Sequence, residues 1–554
     1  MKHFTLFSAL LFSACLMAQP NYLWNELFTG SAHGNKVQNN INEIRFNAQG
    51  EAFIGGYYGS LNKDERAELS LDKETFMGYT YESQAYYAGN TFHKNFVVVK
   101  LDANQAPLWT VYTINGEYTN GNIVSDLCPT LDGGVVALMK MRYSEGDAKL
   151  ADGTTPLPLV WIVDAQKDTT RIGFTADKRA HQGVIARFDR NGKLTAVKTL
   201  NVDYAKSNDA FSLECIAEDK NGNLFIVGTQ TADFTYDGQT LAAGEKNSFV
   251  LKVNAELGYV KHLSTTGTAK EITLRGIQYA NDALYLYGTA GNQAEQTVTF
   301  GGKSITLANA LNFVTIKLDT DLTTAEYLTQ TTTVKYNNVN NFMYYGMTMA
   351  QDSKSFYFTG GMVGGILFNG DTIKAVGTKG GAYNGVVLQF NADNGQLMNY
   401  YLREDATTLP ADGNYYGWTV AQSGDSLYIP HWKMKEQHID RFDKDLHFVE
   451  RTMVAEATTA STLFAAADYK GLLLMSIRVG NSGACYVDGI DIHAREQNPW
   501  FAILTAYQLP IQKDTPSALD ETAVQTKARK VLLNGQIIIR RGNEQFNLLG
   551  QPIR

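Results

Sequence analysis

The chain has 554 residues, a formal net charge of −8 and 44% hydrophobic residues. That balance leaves no basic stripe for nucleic acid, and after the N-terminus no apolar run is long enough to span a membrane. Four cysteines in this length imply no disulfide framework, since Cys128, Cys215 and Cys485 stand far apart and Cys15 belongs to the N-terminal segment.

Met1–Ala18 reads as a secretory signal, with Lys2 and His3 followed by an apolar run from Phe4 to Met17 and cleavage expected after Ala18. Cys15 after Phe12-Ser13-Ala14 loosely resembles a lipid-attachment motif, which implies a lipid-anchored periplasmic or outer-membrane protein as another route. Asn21–Gly30 (NYLWNELFTG) is similar to Pro107–Gly116 (PLWTVYTING), the end of the first repeated unit. It is therefore expected to act as a fourth strand for the last unit, which stops after its third.

Asn208–Gly267 shows the repeated plan most clearly. Ser212–Ala217, Asn223–Gly228, Ser248–Val253 and Tyr259–Ser264 read as short strands, split by Gly, Asn and Asp turns that accept positive φ. The turn Tyr236-Asp237-Gly238, with Leu241 three residues on, recurs as Phe300-Gly301-Gly302 with Ile305, Phe368-Asn369-Gly370 with Ile373, and Val487-Asp488-Gly489 with Ile492. After each comes one strand type: Ser248–Asn254, Asn312–Asp319, Gly385–Asn391 and Trp500–Ala506. Earlier or weaker copies are Asn95–Asp102, Gly183–Asp189 and His438–Asp443. Their closing Asp or Asn residues fall at 102, 189, 254, 319, 391 and 443, which are 52 to 87 residues apart. Such a period means a solenoid or a radial array, and four strands per unit favour a β-propeller.

The units run at about 41–116, 120–203, 208–267, 269–334, 340–404, 412–456 and 458–509, with insertions at Leu61–Asn90 and Ser144–His181. Lys513–Arg529 is a polar linker, and Lys530–Arg554 reads as two or three short strands turning at Asn534-Gly535 and Gly542-Asn543. The expected division is a signal at 1–18, a propeller at 19–512, a linker at 513–529 and a C-terminal segment at 530–554. The fold class expected is all-β: one seven-bladed β-propeller closed by the N-terminal strand, plus a short C-terminal β-hairpin segment.

Over most of residues 20–512 the chain resembles the seven-bladed β-propeller repeat of bacterial secreted proteins, in which D-A-F-V-x-K-L-D-x-x-G-x-x-x-W is followed by I-x-x-D-x-x-G-N-x-Y-V-x-G. The matching residues are Ser248–Asn254 with Ile216, Asp219, Gly222, Asn223, Phe225, Val227 and Gly228, and Asn95–Asp102 with Trp109. The C-terminal segment resembles the sorting tail of type IX secretion, through Asn534-Gly535, Ile537–Ile539, Phe546–Gln551 and Ile553. That resemblance implies passage through a secretion machinery to the outer surface or beyond. The family's further upstream half with Pro and Gly is not found.

Catalytic motifs are weak. Gly424-Asp425-Ser426-Leu427 has the letters of a GDSL hydrolase but falls in a turn between strands, and no G-x-S-x-G occurs. Asp491 and His493 share a strand face, with His438 and His431 unplaced as further metal ligands. Asp219-x-Asn-Gly-Asn and Asp189-x-Asn-Gly have calcium-like oxygen spacing without the later Glu, and hairpin turns account for them. No cofactor or metal is expected. The aromatic stretches Asn341–Gln351 and Asn414–Gln422 align, which brings Tyr344, Tyr345, Tyr415, Tyr416 and Trp418 to an innermost strand near the channel rim; Phe211 and Arg275 occupy comparable positions. Flat aromatic faces suit sugar rings, although packing between blades is the plainer account of them in a chain with 30 Tyr and 27 Phe. The function expected is a non-catalytic exported binding or scaffold protein at the cell surface, with a glycan or a protein as ligand. The alternative is a glycan-active hydrolase or lyase with carboxylates at the channel.

Overall fold

The computed structural model describes residues 19–28, 37–60, 67–71, 74–78, 93–115, 119–143, 159–173, 181–202, 211–243, 247–268, 272–291, 296–308, 311–335, 341–374, 383–403, 414–433, 435–459, 461–480, 483–493, 500–510, 529–533, 536–541 and 544–546. The signal-like Met1–Ala18 and most of the linker lie outside them. Regular structure among the described residues is all strand. Contacts divide the chain into Met1–Ile511 and Gln512–Arg554.

The unit first read in the sequence is a four-stranded antiparallel ladder: Phe211–Glu218, Leu224–Gln230, Asn247–Val253 and Tyr259–Ser264. Its second and third strands are buried along their whole length, whereas the fourth is half-exposed. That gradient arises because inner strands have a sheet neighbour on each side and a packed ladder on each face. The same ladder recurs from Val37–Phe46 to Pro107–Asn115, from Thr119–Pro129 to Leu194–Val202, from Ile272–Ala280 to Ala325–Val334, and from Asn341–Met349 to Leu397–Leu402. It recurs again from Asn414–Tyr416 to Phe448–Ala457. The last ladder begins at Ser461–Tyr469, and its fourth strand is Asn21–Phe28, antiparallel to Trp500–Gln508.

Side-chain bonds carry the circuit from ladder to ladder. Arg45 reaches Asp126, which accepts the Ile216 N–H; the Cys215 thiol donates to the Arg275 carbonyl, and Gln278 donates to the Met347 carbonyl. The Val420 N–H meets Thr348, Thr419 meets Asp468, and Ser476 donates back to the Ile41 carbonyl. The ladders thus stand in a ring around one channel. Apolar core fills the spaces between them, as where Phe225, Val227 and Val250 pack on Leu274, Leu284 and Leu286. Full burial of each such side chain contributes about 1.5–3 kcal/mol.

The repeated turns have an unexpected destination. The hairpin Phe234–Tyr236 with Gln239–Leu241 pairs with Leu194–Val202 of the preceding ladder. Gly365–Phe368 with Asp371–Lys374 joins Ala325–Val334, and Ala484–Val487 with Ile490–His493 joins Phe448–Ala457. Leu159–Val163 with Thr169–Gly173, from the long insertion, extends the first ladder at Pro107–Asn115.

The expectation of seven blades is corrected at the level of sheets. Separate sheets up to residue 511 number eight among the described residues. A single parallel pair, Gln38 with Trp500, fuses the first ladder to the last. Thr266–Gly267, Thr297–Phe300 and Lys303–Thr306 form a sheet of their own, as do Ala67–Leu71 and Glu74–Gly78. In the C-terminal unit Arg529–Leu533, Gln536–Arg541 and Glu544–Phe546 form a three-stranded antiparallel sheet.

Candidate functional site: the central channel

Each innermost strand loses register with its neighbour at a matching point. The slip leaves Asn42, Ser125, Glu214, Arg275, Tyr345 and Phe464 as the extra residues. Such bulges bend a strand and re-aim a side chain. In the remaining ladder the innermost strand is broken between Asn414–Tyr416 and Ala421–Ser423, and Trp418 adopts a φ of 64° in the gap. Left-handed backbone at a tryptophan costs of order 1–3 kcal/mol. Gly346 makes room for it: a Cβ there would stand 2.2 Å from the Trp418 carbonyl oxygen.

These departures from regular pairing surround a cavity of about 900 Å³, whose lining includes Asn42, Ser125, Glu214, Arg275, Trp418 and Phe464. One side is charged. Arg45 Nη2 lies 2.6 Å from Asp126 Oδ1, and Arg275 Nη1 lies 2.8 Å from Glu214 Oε2. Glu43 Oε2 is 2.9 Å from Arg45 Nη1, close enough to pair but out of line for a hydrogen bond. Apolar lining comes from Met347, Phe464, Ala466 and the half-buried Trp418, with Asp468 on the same strand as Phe464.

Proton affinities in the channel are unusual. Burial raises the Glu43 carboxyl to about 8, against the pull of Arg45. Burial also raises Asp126, although Arg45 and the backbone N–H groups of Ile216 and Leu127 oppose it. On the same wall burial takes Glu218 to about 7, while the Leu131 N–H donates to it. Asp468 rises to about 6 for the same reason, opposed by its bond from Thr419. Carboxyls held near neutrality can donate as well as accept hydrogen bonds.

The five aromatics expected at the rim separate. Trp418 lines the cavity, tilted against Trp432 at 5.4 Å between ring centroids. Tyr416 is fully buried; its hydroxyl donates to Asp440 Oδ2 at 2.5 Å, and Tyr401, His431 and Phe442 surround its ring. Tyr344 and Tyr345 lie on the innermost strand Asn341–Met349 and Tyr415 on Asn414–Tyr416, with side chains outside the described residues. Arg275 reaches the channel. The side chains of Phe211 and His493 lie outside the described residues, and Asp491 is exposed.

No group of three or more His, Cys, Asp or Glu among the described residues could hold a metal. His431 is buried beside Arg403, with burial first and Arg403 second holding it neutral. The calcium-like loops are turn clasps: Asp219 Oδ1 accepts the N–H groups of Asn221 and Asn223, and Asp189 Oδ1 those of Asn191 and Lys193. Gly424-Asp425 forms the hairpin turn between Ser423 and Ser426. Glu43, Arg45, Asp126 and Glu214 were missed by sequence reasoning.

The ring of ladders around a channel makes this protein an all-β propeller. No family model matches the chain, and no curated protein matches it. Among solved structures it is similar to a europium-containing methanol dehydrogenase, at 9% identity and a TM-score of 0.39 over 89% of this chain and 94% of the other. A protein of unknown function from Dyadobacter fermentans gives 10% and 0.38, over 88% and 99%. The β-propeller domain of the Trilobed protease from Pyrococcus furiosus gives 10% and 0.34, over 83% and 97%. At these levels the likenesses carry nothing about activity.

Proposed function

We propose that the chain is an exported, non-catalytic binding protein at the cell surface that takes a glycan into its central channel. The observation that carries this reading is the mixed lining of the cavity, which holds Trp418 together with paired carboxylates and guanidiniums. An aromatic face accepts the C–H side of a sugar ring, while polar groups opposite take its hydroxyls. Export rests on the signal-like Met1–Ala18, and the outer surface rests on the sorting-like Lys530–Arg554, which would engage a secretion machinery. Intact mass or palmitate labelling at Cys15 decides whether the chain is lipid-anchored instead.

A glycan array and polysaccharide pull-down with the full chain and Trp418→Ala tests the reading. Binding that the variant loses supports it. Capture of a surface protein with no glycan bound replaces it by a protein-facing scaffold. One observation favours a second reading, a glycan-active hydrolase or lyase: Glu43 and Asp468 line the cavity with raised proton affinity, as general acids do. Release of reducing ends from a bound glycan, abolished in Glu43→Gln, would establish that reading.

A further inference from the structure

The outer grooves of the ring are filled in one manner. Between their second and third strands, the second, third, fifth and last ladders each send out a hairpin that pairs with the fourth strand of the ladder before. The fourth ladder does so through Thr266–Gly267, which follows the fourth strand of the third. The first ladder's hairpin, Ala67–Leu71 with Glu74–Gly78, lies against Asn21–Phe28 of the last. The sixth ladder is the exception. In sequence only Met434 and Lys435 separate its second strand, Ser426–Lys433, from its third, Glu436–Asp443, and Lys433 pairs directly with Glu436. Leu397–Leu402, the fourth strand of the fifth ladder, accordingly ends its sheet as an edge among the described residues.

The filled grooves show what such a groove takes. Each hairpin carries an apolar residue just before its turn and a second one after it. Tyr236 and Leu241 are buried, as are Val487 and Ile492; Phe300 is buried, and Phe368 meets Tyr400 edge-on at 5.2 Å between centroids. The hairpin also covers the start of the fourth strand of its own ladder. Ala325 is fully buried there, and its N–H donates to the Gly301 carbonyl. Phe448 holds the corresponding place in the sixth ladder, since Ala325 pairs with Leu318 and Phe448 with Phe442, each the next-to-last residue of a third strand. Phe448 is 42% exposed, its ring stacked at 6.2 Å on Tyr401 of the fifth ladder.

We propose that the outer groove between the fifth and sixth ladders is a docking site for a β-hairpin of another protein, apolar at alternate positions and aromatic beside its turn. An edge strand offers N–H and C=O groups to an added strand, and a neighbouring apolar pocket selects the side chain that comes with it. Leu397–Leu402 supplies the edge, and Phe448 with Tyr401 supplies the pocket. The chemistry of the guest is set by the hairpins that occupy the other grooves of the same ring. A second copy of the chain has its described hairpins committed to its own grooves, so the guest comes from a different protein. The site is apart from the channel and does not depend on what the channel binds.

The test uses the full chain and two fluorescent peptides that copy its own hairpins, residues 232–243 and 363–375, each closed head to tail so that the hairpin is preformed. Anisotropy reads binding, and hydrogen exchange maps it. Saturable binding with slowed exchange in Leu397–Leu402 is expected, weakened about tenfold by Phe448→Asp in the protein or by Phe368→Ala in the second peptide. A second variant replaces Met434 and Lys435 by residues 365–374, which gives the sixth ladder the hairpin that its neighbours have. It is expected to block the peptides and to melt higher than the wild type, and it keeps the test alive if Phe448→Asp is lost to misfolding. No binding of either peptide overturns the proposal. So does binding that both protein variants leave unchanged, which would mean exchange with a resident hairpin in another groove. A wild type that dimerises through Phe448 overturns it in favour of a second copy.

Discussion

Asp440 and Glu214 each hold an arginine, but in opposite settings. Asp440 has none of its surface exposed, grips Arg451 through two bonds of 2.7 Å and also accepts the Tyr416 hydroxyl. Glu214 meets Arg275 through one contact of 2.8 Å at the edge of the cavity. In the first cluster every acceptor is used inside the protein, so the charge serves the fold. In the second the pair is left within reach of a ligand. Tyr416 and Trp418 repeat the contrast two residues apart: one ring is sealed in the core, and the other, on left-handed backbone at Trp418 itself, lines the channel.

The largest effect that should break this comparison is Asp440→Asn. Removing the buried charge strands Arg451, and a loss of about 3 kcal/mol in denaturant unfolding is expected, with glycan affinity of the folded fraction unchanged. Gly346→Ala comes next. Its methyl group would meet the Trp418 carbonyl, a backbone atom that cannot step aside, so a loss of about 2 kcal/mol is expected together with weaker channel binding. Glu43→Gln acts through pH. Below about 4.5 folded and unfolded chains both carry the Glu43 proton; between there and about 8 the unfolded chain releases it first, so stability falls as pH rises. The variant is expected to flatten that decline by about 1–2 kcal/mol, read from melts across the range. The smallest effect belongs to Glu214→Gln, expected to cost under about 1 kcal/mol because the pair is partly exposed. A loss as large as that of Asp440→Asn would place Glu214 among the groups that hold the fold.

Local structure was legible in the sequence where one residue does one local job. The Asp and Asn residues closing each repeated strand mark the period in the sequence, and at Asp189 the turn itself was legible. Asp102, Asp189, Asn254 and Asp443 each place a side-chain oxygen on backbone N–H groups two and four residues ahead. The N-terminal strand was legible too, since Asn21–Phe28 carries the apolar and aromatic pattern of Pro107–Asn115 and the last unit lacks a fourth strand. The destination of the repeated hairpins was hidden. Periodicity marks Phe234–Tyr236 as a strand, but nothing in those residues says that its partner is Leu194–Val202 of another unit. The sheet count differs because Gln38 and Trp500 join the first ladder to the last while Thr266–Gly267 with its hairpin and Ala67–Leu71 with Glu74–Gly78 stand as sheets of their own. The channel was hidden too: Glu43, Asp126 and Glu214 sit on three strands and meet only once the ring forms. Among the aromatics, Tyr416 and Trp418 are alike in sequence context, and only the break after Tyr416 sends them to different places.

The pairing of Asn21–Phe28 with Trp500–Gln508 also bears on how the molecule comes to exist. Thr505 donates to the Trp24 carbonyl across 481 residues of sequence. A chain emerging from its N-terminus carries that first strand unmatched until nearly all later ladders have been made. The final hydrogen bonds close a very long loop, which slows folding far more than it weakens the product. Throughout that interval the strand is an open edge, ready to pair with whatever strand it meets first, a neighbouring chain included.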